Sequence, residues 1–124
     1  MSPVRRRGWL VVIVLAAVAI GGCATLPPAQ PVADVAAIAG KWRGNIDFGR
    51  GIQLFYLTIN PDGSIVAEYG INTKYGKVTV AGGKATFELY VWSGTINYLA
   101  GNGKRMLILS ETFDTFYAQV TPLT

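Results

Sequence analysis

The chain has 124 residues, 51% of them apolar, with 11 basic and 7 acidic side chains, a single cysteine and no histidine. That composition fits one modest domain, excludes a disulfide within the chain, and removes the usual metal ligand and neutral-pH general base. The formal charge of +4 is unevenly placed, because Arg5, Arg6 and Arg7 stand together near the N-terminus.

These arginines precede an uncharged apolar run, Trp9 to Ile20, and two small residues, Gly21 and Gly22. A basic cluster, an apolar run of roughly 7–15 residues and a small-residue cleavage site make a secretory signal. A spanning helix needs about 20 apolar residues. This run is shorter and ends in glycines, so residues 1–22 are expected to form a removable signal helix. The 102 residues from Cys23 onward carry eight basic and seven acidic side chains. That near-neutral balance gives no support for nucleic-acid binding, which wants a basic face or stripe.

Ile20-Gly21-Gly22-Cys23 resembles the bacterial lipobox, an aliphatic residue and two small ones before a cysteine. The resemblance implies that the Cys23 thiol receives a diacylglycerol and that cleavage before it frees an amine for further acylation. Ala24, rather than Asp, follows the cysteine. For a lipoprotein of Gram-negative type this implies sorting to the outer membrane, facing the periplasm. Arg6-Arg7-Gly8-Trp9-Leu10 also resembles a twin-arginine signal, with the general secretory route as the default.

Pro27, Pro28 and Pro31 follow in an Ala-rich stretch. Proline disfavours helix and strand interiors and favours extended chain. Residues 23–39 are therefore expected to be the lipidated cysteine and a disordered tether, with at most one short helical turn over Asp34–Ala39.

From Gly40 to Thr124 turn residues recur, at Phe48-Gly49-Arg50-Gly51, Asn60-Pro61-Asp62-Gly63, Asn72-Thr73-Lys74, Gly82-Gly83, Ser93-Gly94, Gly101-Asn102-Gly103 and Glu111-Thr112-Phe113-Asp114. Breaks every 8–12 residues or so mark an antiparallel all-β sandwich or barrel. Eight strand-like runs joined by short connections leave no room for a crossover helix, so sequential neighbours should pair. Ala85, Phe87, Leu89 and Val91 alternate with Thr86, Glu88, Tyr90 and Trp92, as in a half-buried strand. Leu54–Leu57 and Met106–Leu109 are apolar on both faces, which leaves room for a covering loop, a dimer partner or the tether. Closure into a small up-and-down barrel would remove exposed edges.

Gly40-Lys41-Trp42, with Gly44 after it, resembles the Gly-x-Trp opening of the lipocalin and wider calycin folds. The resemblance implies an eight-stranded meander barrel that often holds apolar ligands, with Trp42 plugging one end. It also implies a late-strand arginine across that tryptophan. The last strand supplies none, and Arg105 lies one strand earlier.

Alternation gives the inward set Phe55, Leu57, Ile65, Tyr69, Phe87, Leu89, Ile96, Tyr98, Phe116 and Val120. A cavity opposite Trp42 is expected, in which Phe55, Phe87 and Phe116 line an apolar ligand and the Tyr69 and Tyr98 hydroxyls orient its head group. A filled core would instead leave Tyr90 and Trp92, on the polar side of their strand, as a face for an envelope protein or cell-wall polymer. Lys74, Lys77 and Lys84 around the fourth strand could touch anionic lipid or protect an edge. Asp47, Glu68, Glu88 and Glu111 show no spacing that pairs them. No nucleophile–base constellation, cofactor motif or metal-ligand cluster stands out, so no catalytic role is expected.

The anchor is directly testable. Cys23→Ala is expected to move the protein from the membrane to the soluble fraction and to abolish labelling by palmitate. Palmitate persisting on the Cys23→Ala chain would contradict it.

Overall fold

The computed structural model describes residues 26–123; the segment expected to be a signal helix and Cys23 lie outside them. In chain order come a short strand β1 (Ala29–Gln30), a 3-10 turn (Val35–Ile38), and then β2 (Gly40–Asp47), β3 (Ile52–Ile59), β4 (Ser64–Tyr69), β5 (Asn72–Ala81), β6 (Lys84–Leu89), β7 (Trp92–Gly101), β8 (Lys104–Glu111) and β9 (Tyr117–Pro122). Each strand from β2 to β9 pairs antiparallel with its sequential neighbour, and β9 returns to β2 through Tyr117↔Asp47 to Pro122↔Trp42. The result is the expected closed eight-stranded meander barrel.

Alternation along each strand builds the core. Trp42 and Ile46, Phe55 and Leu57, Ile65 and Ala67, Phe87 and Leu89, Leu107 and Leu109, and Ala118 and Val120 point inward and are buried. Every residue of the expected inward set is buried except Tyr98, which is half-buried against the core. The meander places the turns at two ends. The lower end holds turns 60–63, 82–83 and 102–103; the upper end holds 48–51, 70–71, 90–91 and 112–116.

The lower end is closed by Trp42, which is 1% exposed. Its indole N–H donates to the Ile38 carbonyl at 3.0 Å, tying it to the 3-10 turn. Asp34 caps that turn by accepting from the Ala37 N–H at 3.1 Å. The Arg105 guanidinium lies 5.0 Å from the Trp42 ring centre. It also donates to the Ala37 carbonyl at 3.0 Å and to the Tyr98 hydroxyl at 3.1 Å. The strand before the last thus supplies the cation over the tryptophan.

Residues 26–39 are not a free tether. β6 begins at Lys84, so the lower part of β7 has no strand beside it there. The proline-rich segment fills that edge: Ala29 and Gln30 pair with Leu99 and Tyr98, and the Pro28 carbonyl accepts from the Ala100 N–H at 3.0 Å. The Val32 N–H donates to the Gly83 carbonyl at 2.9 Å, and its side chain, 2% exposed, joins the core. A proline-rich strand suits an edge, where it need not donate on both sides. Where a disordered linker was expected, with one short turn as the alternative, Val35–Ile38 forms a 3-10 turn.

Two turns differ from their expected places. Asn72-Thr73-Lys74 and Ser93-Gly94 lie inside β5 and β7, and the chain reverses at Gly70-Ile71 and Tyr90-Val91 instead. Gly94 is not a turn residue. A Cβ there would strike the Ser110 carbonyl oxygen and lie 2.9 Å from the Phe87 ring. Gly44 meets the Gln119 carbonyl in the same way. Glycine inside a strand marks such close approach. Val91 is consequently exposed in a turn, not inward, and Trp92 opens β7 on the inward phase, half-buried.

Both features set stability. Trp42→Ala is expected to cost about 3–5 kcal/mol, as for a buried tryptophan. Gly44→Ala is expected to cost about 1–3 kcal/mol or more from overpacking. Urea unfolding checks both, and wild-type midpoints would contradict the packing described.

Candidate functional site

The residues expected to line a ligand cavity pack against one another. The Phe55 and Tyr69 ring centres are 6.3 Å apart, and those of Phe87 and Phe116 are 5.8 Å apart. Phe48, from the β2–β3 loop, crosses the upper mouth. Its ring lies 5.2 Å from Tyr69, 5.7 Å from Trp92 and 5.6 Å from Phe116. Trp92 meets Phe116 edge-on at 5.4 Å. These rings form an aromatic plug where the opening was expected. Tyr69 sits in the plug, and its hydroxyl pKa is raised by burial and then by Tyr90. Tyr98 lies at the other end beside Arg105. The two hydroxyls do not converge.

Clefts of 260–430 Å³ lie along the outer surface. One is lined by Gln53, Leu54, Tyr56 and Glu68, and another follows the seam between β1 and β6 over Thr95 and Asn97. Among the described residues no group of three or more acidic, cysteine or histidine side chains could hold a metal, and no helix is long and apolar enough to cross a membrane.

The upper rim is the distinctive surface. Ile71, Phe113, Val91 and Tyr90 are 102%, 83%, 73% and 64% exposed, and Ile52 joins them at the start of β3. Of the sequence-selected pair, Tyr90 belongs to this rim, while Trp92 stands beneath it as part of the plug. Ile52, Ile71, Val91 and Phe113 were not singled out from the sequence. The available signal was the phase of the apolar alternation. Leu89 and Trp92 are paired neighbours that both face inward, which requires a two-residue reversal at Tyr90-Val91.

The lower turns follow turn chemistry throughout, and at the upper end Tyr90-Val91 departs from it. Gly82-Gly83 and Asn102-Gly103 have positive φ at both positions, as a type I′ turn requires. At the upper end Tyr90 holds φ 58°, a conformation in which a bulky side chain is an outlier. It is held there from two sides. The Lys74 ammonium lies 4.0 Å from the centre of its ring, and Trp92 meets it edge-on at 5.7 Å.

Phe113 is positioned by a carboxylate. Glu111 is buried, and its Oε1 accepts from the Thr115 N–H at 2.8 Å and the Phe113 N–H at 2.9 Å. These bonds, the Thr115 N–H first, hold its pKa below the ordinary glutamate value. Thr112 adds bonds from its N–H and its hydroxyl to the Ser93 carbonyl, both at 2.8 Å. The loop is fixed while its phenyl ring faces outward.

Covering such a rim would remove apolar side chains from water, worth roughly 1.5–3 kcal/mol for each large one fully covered. No family model, curated protein or solved structure matches this chain.

Two tests address how the rim is held. Tyr90→Gly is expected to be more stable than Tyr90→Ala by about 1 kcal/mol, since both delete the ring and only glycine relieves the positive φ. Equal melting of the two variants would argue against backbone strain at residue 90. Glu111, with its pKa depressed in the folded state, contributes stability above its unfolded pKa and loses it as pH falls through the folded value. Glu111→Gln is therefore expected to lower stability at neutral pH and to flatten the acid side of the profile. A wild-type dependence on acid would contradict this role.

Proposed function

We propose that this protein is a lipid-anchored envelope protein, held to the membrane by Cys23 and facing the periplasm, that works as an interaction module. The barrel is its scaffold. The upper rim, Ile52, Ile71, Tyr90, Val91 and Phe113, seats in an apolar recess of a partner protein in the envelope. The observation that carries this reading is the contrast between the two ends. Glycine, proline, asparagine and aspartate make the lower turns, while the upper turns, beside their own glycines, also carry Ile71, Tyr90, Val91 and Phe113 standing in water. Exposed apolar residues clustered at one place mark interaction sites more often than scattered ones do.

The packed core supports this reading over a ligand carrier. The five residues proposed to line a ligand serve other contacts. Four rings pack upon one another, and Tyr98 binds Arg105. The protein is expected not to bind a fatty acid or an environment-sensitive dye below about 100 μM, roughly −5.5 kcal/mol. Photo-crosslinkers at positions 71, 91 and 113 are expected to give one shared adduct in cells, and positions 86 and 97 on the outer wall none. Tight fatty-acid binding, with no adduct from the rim, would return the function to the barrel interior.

A further inference from the structure

The charges of the barrel are sorted by end. Strand direction places Lys41, Arg43, Lys84, Lys104 and Arg105 in the lower half, all exposed. The carboxylates there, Asp34 and Asp62, are engaged by backbone N–H groups. Asp34 caps the 3-10 turn, and Asp62 accepts from the Ser64 N–H at 2.9 Å and its hydroxyl at 2.7 Å. The upper half holds Asp47, Glu68, Glu88, Glu111 and Asp114 against Arg50 and Lys74, with Lys77 midway along β5. Lys77 meets Glu88 at 3.8 Å, the one ion pair among the described residues. None of the five lower cations is paired with a carboxylate among those residues.

The chain enters the fold at this same basic end. Pro28 bonds to Ala100, and a Cβ on Gly101 would lie 2.9 Å from the Pro28 ring. From Cys23 to Pro28 the chain can span at most about 17 Å, at roughly 3.4 Å per residue. The linker that could have swung the domain freely is bound to the barrel wall. With Cys23 in the membrane, as proposed above, the lower end is the one that faces the lipid.

We infer that the lower end, through Lys41, Lys84 and Lys104 with Arg43 and Arg105 beside them, is a surface for the headgroups of anionic phospholipids. It stands the barrel upright and points the apolar rim away from the membrane. Each basic residue close to an anionic surface favours contact by roughly fivefold. The excess of carboxylates at the upper end is repelled by the same surface, so the axial charge separation sets orientation as well as attraction. Contact falls off within a Debye length, about 8 Å at physiological salt, which suits a short linker.

The test uses the protein purified from its membranes and reconstituted in vesicles of phosphatidylcholine, with or without phosphatidylglycerol. A fluorophore is attached at Asn102→Cys, in a lower turn, or Val91→Cys, in an upper one, and quenched by a headgroup spin label. With phosphatidylglycerol, quenching at position 102 is expected to exceed that at 91 by at least about threefold. High salt, omission of phosphatidylglycerol, and the combined Lys41→Gln, Lys84→Gln and Lys104→Gln variant are each expected to reduce that ratio. Arg50→Gln, which removes a cation from the upper end and leaves the lower cations in place, is expected not to reduce it. A ratio indifferent to salt and to lipid charge in the wild type overturns the inference, whatever the stability of the variants. Labelling of the unsubstituted protein reports separately on the anchor, since a lipidated Cys23 has no free thiol. If Cys23 proves free and the protein soluble, its co-sedimentation with the two vesicle types reads the surface directly. Equal binding to both, or none, then overturns it.

Discussion

Closing eight strands of six to ten residues into a ring fixes an interior only as wide as the side chains that fill it. The ring is tight enough for three inward positions, Gly44, Gly76 and Gly94, to be usable only by glycine. A Cβ at any of them would strike the carbonyl of a neighbouring strand, from Gln119, Glu88 or Ser110. Phe55, Leu57, Phe87 and Leu109 then occupy the space that remains. Closure also removes sheet edges. The surfaces left to differ are the outer wall and the two ends.

The ends are stopped by different chemistry. At the lower end a tryptophan is fixed by a hydrogen bond from its indole and by a guanidinium over its face. Arg105 donates to the Ala37 carbonyl and the Tyr98 hydroxyl, so one side chain links β8, β7, β2 and the 3-10 turn. At the upper end no polar latch is needed, because Phe48, Tyr69, Trp92 and Phe116 meet across the mouth. Rings at offset or edge-on geometry gain contact energy beyond the area they bury. The aromatic content read from the sequence as pocket or interaction face thus divides in two. Inner rings plug the barrel, and Tyr90 with Phe113 stand outside it.

The fold was legible because its signals agree. Turn residues recur at strand spacing, alternation marks the core, and Gly40-Lys41-Trp42 marks the first strand. Failures came where one residue type serves two physical roles. Gly94 looked like a turn and is a close contact. Pro27, Pro28 and Pro31 looked like a free linker and instead border the edge strand that a short β6 leaves room for. The upper rim was hidden for a related reason. Tyr90-Val91 continues the apolar alternation of β6, so composition reads it as strand, and only the register of Leu89 against Trp92 shows the reversal. Arg105 could be noticed in sequence as the late cation, but its place over Trp42 depends on the pairing of β8 with β7, a tertiary fact.

The rim's composition has no explanation in folding. Ile71 is fully exposed, Val91 and Phe113 are largely exposed, and none of the three belongs to the core. Glycine or asparagine at residue 90 would form the same reversal with less strain. Polar tips would lower the hazard of non-specific association. The lower turns of the same barrel take that cheaper chemistry throughout, so neither the fold nor the turn length demands the upper residues. Local rules broken without a structural return are expected at sites of function. Glu111 sharpens the point. A buried carboxylate, costly unless its lone pairs are matched by donors, is spent on fixing the loop whose outermost side chain is Phe113. Rigid presentation of an apolar tip lowers the ordering cost of binding. It does nothing for a barrel whose core is already closed beneath it.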